Sequence, residues 1–388
     1  MKNSIRGSTA IVGVALAGLG EAPGRSAEDL AIEASVKALA EAGLTTQDVD
    51  AVFGALPGTS FPLSSLLICE QLGVQPKLTD NNRTGGSAFL SHTQMAALAL
   101  KEGLCETALI FYGSNQRTGA GKLVLPPSKP FVYETVYAPI FPVTSYALAA
   151  ARHMHEYGTT SEQLAAVAVA ARAWANLNPA AFTYEDGPLS IDDVLSSRFV
   201  SSPLRVRDCC LITDGGSALV MTTAERARDL PKKPIYLLGA GEGSTHMNII
   251  SMPNLTQTAA VDSGKRAFEM AGVTQKDIDV IELYDAFTIN TILFLEDLGF
   301  CKKGEGGALV ASGAIAPGGS LPVNTNGGGL SFGHPGMYGM YTLIEAVRQL
   351  RGEAGQRQID QAELALCHGN GGVLSSQITN ILGTEATL

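Results

Sequence analysis

The order of apolar and polar positions along the chain sets out a strand, turn, helix and strand twice. Thr9-Ala-Ile-Val-Gly-Val-Ala-Leu-Ala is an apolar run broken by glycine and predicts a buried first strand, and Pro234-Ile-Tyr-Leu-Leu-Gly-Ala-Gly predicts its counterpart. Ala-rich helical patterns follow over residues 31–42 and 260–271. Each ends in Ala-Gly, opens a polar turn at a Thr with an Asp-x-Asp pair, and enters a short β-branched strand, so that residues 42–53 and 271–282 agree step for step. We read this as an internal duplication.

Strands alternating with helices predict an α/β protein whose mostly parallel sheets are covered on both faces, with ligands near the carboxyl ends of the strands where the halves meet. Residues from about 120 to 206 do not repeat. They begin around Leu125-Pro-Pro-Ser-Lys-Pro and carry Tyr and His-Met-His, which predicts an inserted loop domain that helps cover the substrate. The stretch 228–234 predicts the linker, giving an N-terminal domain over 1–230 with its insertion and a C-terminal domain over 231–388.

Composition narrows the function. A chain of 388 residues with 45% hydrophobic and 16% charged content can bury a large core. Its net charge of -10 argues against nucleic acid or an anionic membrane surface, which are held by clustered Lys and Arg. No apolar stretch reaches the length of a membrane span, and the N-terminal run lacks a small-residue cleavage site. The six cysteines show no C-x-x-C spacing, which predicts buried thiols in a reducing, cytoplasmic setting and no metal site.

Three segments of the second half carry candidate chemistry. The first is Asn324-Thr-Asn-Gly-Gly-Gly-Leu-Ser-Phe-Gly-His-Pro-Gly-Met-Tyr-Gly-Met-Tyr341, followed by an amphipathic helical pattern over 342–350. A glycine-rich turn that brings His334 to a helix start would set an imidazole against oriented backbone N–H groups, where it can donate to a developing oxyanion. One Gly-His-Pro alone is equally well a capped turn. The second is Glu282-Leu-Tyr-Asp-Ala-Phe-Thr288, where Tyr284 and Asp285 sit at a strand end, with a half-buried aromatic and a helix cap as the plainer roles. The third is Cys367-His-Gly-Asn-Gly-Gly-Val373, read as a second glycine-rich turn in which His368 is a proton donor or only a turn residue.

These blocks resemble the signatures of the thiolase superfamily, especially its sterol-carrier-type thiolases and lipid-transfer aldolases, and the resemblance spans nearly the whole chain. It implies a duplicated five-layer α-β-α-β-α fold, a tight homodimer, an acyl-CoA substrate and no cofactor beyond the CoA of that substrate. It also implies roles. His334 matches the family's oxyanion-hole or base histidine, Tyr284 stands where thiolases carry the first residue of Asn-Glu-Ala-Phe, and His368 falls at the acid/base cysteine. Several members of this branch work with a small OB-fold and zinc-ribbon protein.

The N-terminal counterpart departs from the pattern. Thiolases place their nucleophilic cysteine in a turn before a helix that here covers residues 88–102, and counting back puts Gly86 at that position, in Asn81-Asn-Arg-Thr-Gly-Gly-Ser-Ala-Phe89. Ser87 is a possible substitute nucleophile without an evident base. Without a thiolate the acyl-enzyme route fails at its first step, whereas retro-aldol cleavage needs only a base and an oxyanion hole for the thioester enolate. Side-chain-cleaving aldolases of this fold share the Tyr-Asp-x-Phe-Thr block and an Asp-Cys-Cys block, here Asp208-Cys-Cys210, although His334 replaces their second tyrosine. The expected reaction is therefore cleavage of a 3-hydroxyacyl-CoA, with a thiolase-type acyltransferase or a non-catalytic acyl-CoA-binding subunit as alternatives. The candidate catalytic residues are His334, Tyr284, His368 and Asp285. Gly86, Arg83, Ser87, Gly333 and Asn370 are expected to contact substrate, with Arg83 a cation that could lower the tyrosine pKa.

Overall fold

The structure is a computed structural model that describes residues 4–56, 63–81, 84–120 and 134–388. Eleven strands are described: β1 (Thr9–Gly20), β2 (Ala51–Ala55), β3 (Leu78–Asn81), β4 (Thr107–Ser114), β5 (Phe199–Ser201), β6 (Leu204–Arg205), β7 (Asp214–Thr223), β8 (Ile235–Ser244), β9 (Val280–Leu283), β10 (Leu364–Gly371) and β11 (Ser376–Gly383). The helices are α1 (Ala27–Glu41), α2 (Ser64–Leu72), α3 (Ala88–Lys101), α4 (Val143–Tyr157), α5 (Ser161–Ala175), α6 (Ile191–Leu195), α7 (Ala224–Ala227), α8 (Ala260–Ala271), α9 (Thr288–Asp297), α10 (Gly306–Ala311) and α11 (Gly339–Arg351).

Nine strands run in the order β3-β2-β4-β7-β1-β8-β11-β10-β9, which is one topology used twice and joined where β1 meets β8 at Ala10↔Tyr236 and Ile11↔Ile235. In the first half β1 and β7 are antiparallel, β7 and β4 antiparallel, and β4 and β2 parallel; in the second, β8, β11, β10 and β9 repeat those orientations. Helix α1 covers the first half-sheet and α8 the second, while α3 and α11 pack on each other and on strands of both halves. The result is the five-layer α-β-α-β-α arrangement.

The duplicated turns have the same chemistry. Thr45 and Thr274 each give a backbone N–H and a hydroxyl to a carboxylate three residues on, at 2.9 and 2.9 Å to Asp48 and 2.8 and 2.8 Å to Asp277. Two residues later Asp50 accepts the N–H groups of Glu106 and Thr107, and Asp279 those of Glu363 and Leu364. Each half also brings a helix down onto a strand glycine. A Cβ on Gly13 would lie 2.1 Å from the Ala38 carbonyl oxygen, and one on Gly239 2.1 Å from that of Ala267.

Three expectations need correction. The sheets are mixed with a majority of antiparallel pairings, because β7 and β11 return against β4 and β10 instead of crossing over. The segment at 367–373 is not a turn up to its last residues: β10 continues through His368 to Gly371. Helix α11 begins at Gly339, five residues beyond His334, and is covered on nearly all sides, so its pattern marks a central helix and not a solvent-facing amphipathic one.

The inserted segment contributes α4, α5, α6 and the β5–β6 hairpin, and α5 packs on α9, α10 and the π-helical turn Gly328–Phe332. Residues 121–133, which include most of the proline-rich start of the insertion, lie outside the described residues. No described helix is long and apolar enough to cross a membrane.

Candidate active site

Tyr284 leaves the end of β9 with its backbone N–H on the His368 carbonyl at 2.9 Å, one residue after Leu283 N–H donates to Asn324 Oδ1 at 2.6 Å. These bonds aim the ring into the central layer, where Tyr284 Oη lies 3.0 Å from His334 Nε2. The two rings meet edge to face, and Tyr338 packs against both, parallel to His334 and edge to face with Tyr284. His334 is delivered by the π-helical turn, which Gly327 and Gly328 enter at φ +110° and +65°, a region that favours glycine. Residues of the first half then hold its backbone: Thr213 Oγ1 accepts the His334 N–H at 3.0 Å, and Gln116 Nε2 donates to its carbonyl at 2.7 Å.

Gly86 closes the site from the other half. It precedes α3 in a 3-10 turn, and a Cβ placed on it would fall 2.5 Å from Tyr284 Cε2, 2.8 Å from Tyr284 Oη and 2.8 Å from the Asn370 carbonyl oxygen. The space that a nucleophilic side chain at position 86 would need is filled by the Tyr284 phenol. The N-terminal end of α3, with the positive end of its dipole, faces the same point.

Burial sets the protonation of the pair. It lowers His334 to about 4 and raises Tyr284 well above the usual phenol range, with the ionisable groups of Cys210, Tyr146 and Tyr112 adding to the latter. At neutral pH the pair is a neutral imidazole beside a neutral phenol. His334 Nδ1 is buried with no hydrogen-bond partner among the described residues, so Nε2 makes the ring's contact within the site.

His368 is close by but not presented to the same space. Its Nδ1 meets Thr379 Oγ1 and its Nε2 meets Gln377 Oε1, both at 2.9 Å, and burial lowers it to about 4. From there a directed chain runs outward: Gln377 Nε2 donates to Asn370 Oδ1, and Asn370 Nδ2 donates to Tyr146 Oη, each at 2.8 Å. Asp285 points away from the Tyr284 hydroxyl and accepts the N–H groups of Gly329 and Leu330, so it anchors the π-helical turn; burial raises it to about 7. Gly333 packs on Leu19 and Thr213. Ser87 Oγ bonds to the Thr84 carbonyl and Ser376 Oγ, and no basic side chain among the described residues hydrogen-bonds to it. Arg83 lies outside the described residues.

The sequence reading missed Tyr146, which comes from α4 in the insertion, reaches Asn370 and the Gly372 carbonyl, and stacks on Phe287 at 4.4 Å. No local motif marks it, since its partners are more than 140 residues away. It also passed over Tyr338, although that residue lies inside the glycine-rich block. The cysteines carry no activated thiol. Burial raises Cys69 and Cys105 to about 11 and Cys209 and Cys301 to about 12, and puts Cys210 and Cys367 well above the usual range.

The family description "Thiolase C-terminal domain-like" matches residues 241–384. A steroid side-chain-cleaving aldolase of Thermomonospora curvata is 34% identical over 385 residues, covering 94% of this chain and 96% of its own. The 17-hydroxy-3-oxo-4-pregnene-20-carboxyl-CoA lyase of Mycobacterium tuberculosis is 36% identical, covering 90% and 92%. An acetyl-CoA acetyltransferase of Methanothermobacter thermautotrophicus is 34% identical, covering 94% and 96%. Among solved structures, an Ltp2-ChsH2(DUF35) aldolase superposes with a TM-score of 0.88 at 33% identity, over 98% of this chain and 99% of that one. With the repeated half-sheets, the central helix pair and the Tyr284–His334 pair, these likenesses establish that the chain belongs to the thiolase superfamily, among its sterol-carrier-type thiolases and side-chain-cleaving aldolases.

Proposed function

We propose that this protein cleaves the Cα–Cβ bond of a 3-hydroxyacyl-CoA by a retro-aldol reaction without an acyl-enzyme. The observation that carries the reading is the placement of Tyr284: its hydroxyl stands 3.0 Å from His334 Nε2 and fills the space beside Gly86 where a thiolase keeps its thiol. The β-hydroxyl gives its proton to Tyr284 Oη while the Tyr284 proton moves to His334 Nε2. The C–O bond becomes a carbonyl, the Cα–Cβ electrons pass onto the thioester as an enolate, and the proton held by the pair returns to Cα. A dry site disfavours either a phenolate or an imidazolium alone. Here the positive charge appears together with the enolate, and the α3 N-terminus favours the negative partner.

A mainly apolar cavity of about 570 Å³, lined by Leu148, Ile249, Ile250, Met252 and Leu255 with Thr144 and Ser145 of α4, has the size and character to take a bulky apolar acyl group. The reaction needs no cofactor beyond the CoA of its substrate. We further propose a homodimer with a small OB-fold and zinc-ribbon partner, because the solved aldolase at 33% identity is a complex with ChsH2(DUF35). Exposed Leu66 on α2, Met95 and Leu98 on α3, and the edge strand β3 support the dimer.

The test is incubation of the protein, alone and with such a partner, with a 3-hydroxyacyl-CoA branched at Cβ. Release of a ketone or aldehyde with the shortened acyl-CoA supports the lyase. The acyltransferase reading, which the acetyltransferase relative favours, instead requires CoA-dependent cleavage of a 3-ketoacyl-CoA.

A further inference from the structure

We propose that Glu282 is a positioning residue: it remains a neutral carboxylic acid and, through Thr325, clamps the strand that carries Tyr284 to the segment that carries His334. The argument begins with a count of protons around one oxygen. Thr325 Oγ1 lies 2.9 Å from Glu282 Oε1, 2.8 Å from Glu345 Oε1 and 3.0 Å from Gln349 Nε2. A hydroxyl has one proton to give, and the amide brings its own, so two short contacts to carboxyl oxygens require one more proton.

Glu345 cannot hold it. Arg357 grips both its oxygens, at 2.8 and 3.0 Å, so a proton there would face the guanidinium donors; the two protons of Gln349 Nε2 are taken up by Thr325 Oγ1 and the Arg357 carbonyl, at 3.0 and 2.9 Å. Glu282 can. Its Oε1 accepts the Thr325 N–H at 3.0 Å and donates to Thr325 Oγ1, which donates in turn to Glu345. Its other oxygen has no hydrogen-bond partner among the described residues, which a neutral acid tolerates far better than a carboxylate. Full burial and the neighbouring Glu345 push Glu282 well above the usual carboxylate range, in the same sense.

The clamp bears on the site from two directions. Glu282 lies on β9 two residues before Tyr284, which follows directly on the strand's last residue, Leu283. Thr325 lies between Asn324, which takes the Leu283 N–H, and Asn326, whose Oδ1 accepts the Tyr338 hydroxyl and the Gly328 N–H. Ionisation of Glu282 would set a second negative charge beside Glu345 with Asp285, Tyr338 and the Cys367 thiol also facing it, while Arg357 is already held by Glu345. Exchange with solvent has a route, because Glu345 and Arg357 line a cavity of about 350 Å³ with Asn178, Asn326 and Arg348.

The proposal rests on Tyr284 and His334 being the reacting pair, and the experiment separates the two claims. In Glu282→Gln the infrared C=O band of one protonated carboxylic acid should be missing from the difference spectrum at neutral pH. The melting temperature of wild type should fall relative to Glu282→Gln as pH rises from 5 to 9, because a raised carboxyl pKa makes stability decline above the unfolded-state value. The alkaline limb of the kcat profile should be present in wild type and move up or vanish in the variant. Glutamine cannot accept from the Thr325 N–H and donate to its hydroxyl at one atom, so kcat at pH 7 should drop about fivefold with KM little changed. Thr325→Val should lower kcat about tenfold with KM little changed. An unchanged infrared spectrum with parallel melting curves would overturn the neutral acid. The expected spectrum with identical kcat profiles would overturn the positioning role. Full activity in Tyr284→Phe would overturn the site assignment on which the proposal rests, without touching the protonation result.

Discussion

His334 is neutral because it is buried, and it is useful because only one of its ring nitrogens is engaged. If it takes the proton from Tyr284 and so supports the enolate, His334→Ala should lower kcat by about two to three powers of ten, the scale of one transition-state partner; steady-state kinetics that match wild type would return it to a structural role. With a folded-state value of about 4, its protonation should cut activity near pH 4 and not near 6.5. The stability sign follows. Below about 6.5 the unfolded chain binds the proton and the folded chain does not, so stability due to this residue is lost as pH falls toward 4. The thiols support a second prediction. All six are held protonated by burial, so incubation with acetyl-CoA should leave the intact mass unchanged. A gain of one acetyl group mapped to any cysteine would restore the acyltransferase reading.

At the scale of elements, the matched glycines of β1 and β8 make the duplication testable. Gly13→Ala and Gly239→Ala each drive a methyl onto a helix carbonyl, and each should cost about 3 kcal/mol in chemical denaturation. A neutral result at one position would mean that α1 and α8 are not held alike. Asp285 belongs here because it anchors the π-helical turn. Its value of about 7 means that stability falls as pH rises from about 4 to 7, and Asp285→Asn should flatten that part of the melting curve. What could be read from the sequence at this scale was local: the Ala-Gly helix stops, the Thr-x-x-Asp turns and the strands after them recur with their spacing intact. Strand orientation was not readable, since β7 and β11 take their direction from partners far along the chain. The second glycine-rich block, at 367–373, misled for a physical reason. Gly369 and Gly371 look like turn residues, yet they sit within β10, where a Cβ would lie 3.1 Å from Ser87 Cα and 1.7 Å from the Thr84 carbonyl. They are glycines because the start of α3 presses on the strand.

For the whole molecule, the site exists only where the halves meet, with Gly86, Thr213 and Gln116 from the first half against Tyr284, His334 and Asn370 from the second. If α2 and α3 also form the dimer face, Leu98→Glu should turn a dimeric species into a monomeric one by light scattering while circular dichroism is preserved; a monomeric wild type would dismiss the dimer. The contact between Gly86 and Tyr284 has one more consequence, for anyone who wishes to convert this protein into a thiolase. Gly86→Cys alone would force the new side chain into the phenol and should yield a protein with neither chemistry, whereas a small residue at 284 opens the room first. The two changes should therefore be strongly non-additive, and the order in which they are made should decide whether every intermediate still folds.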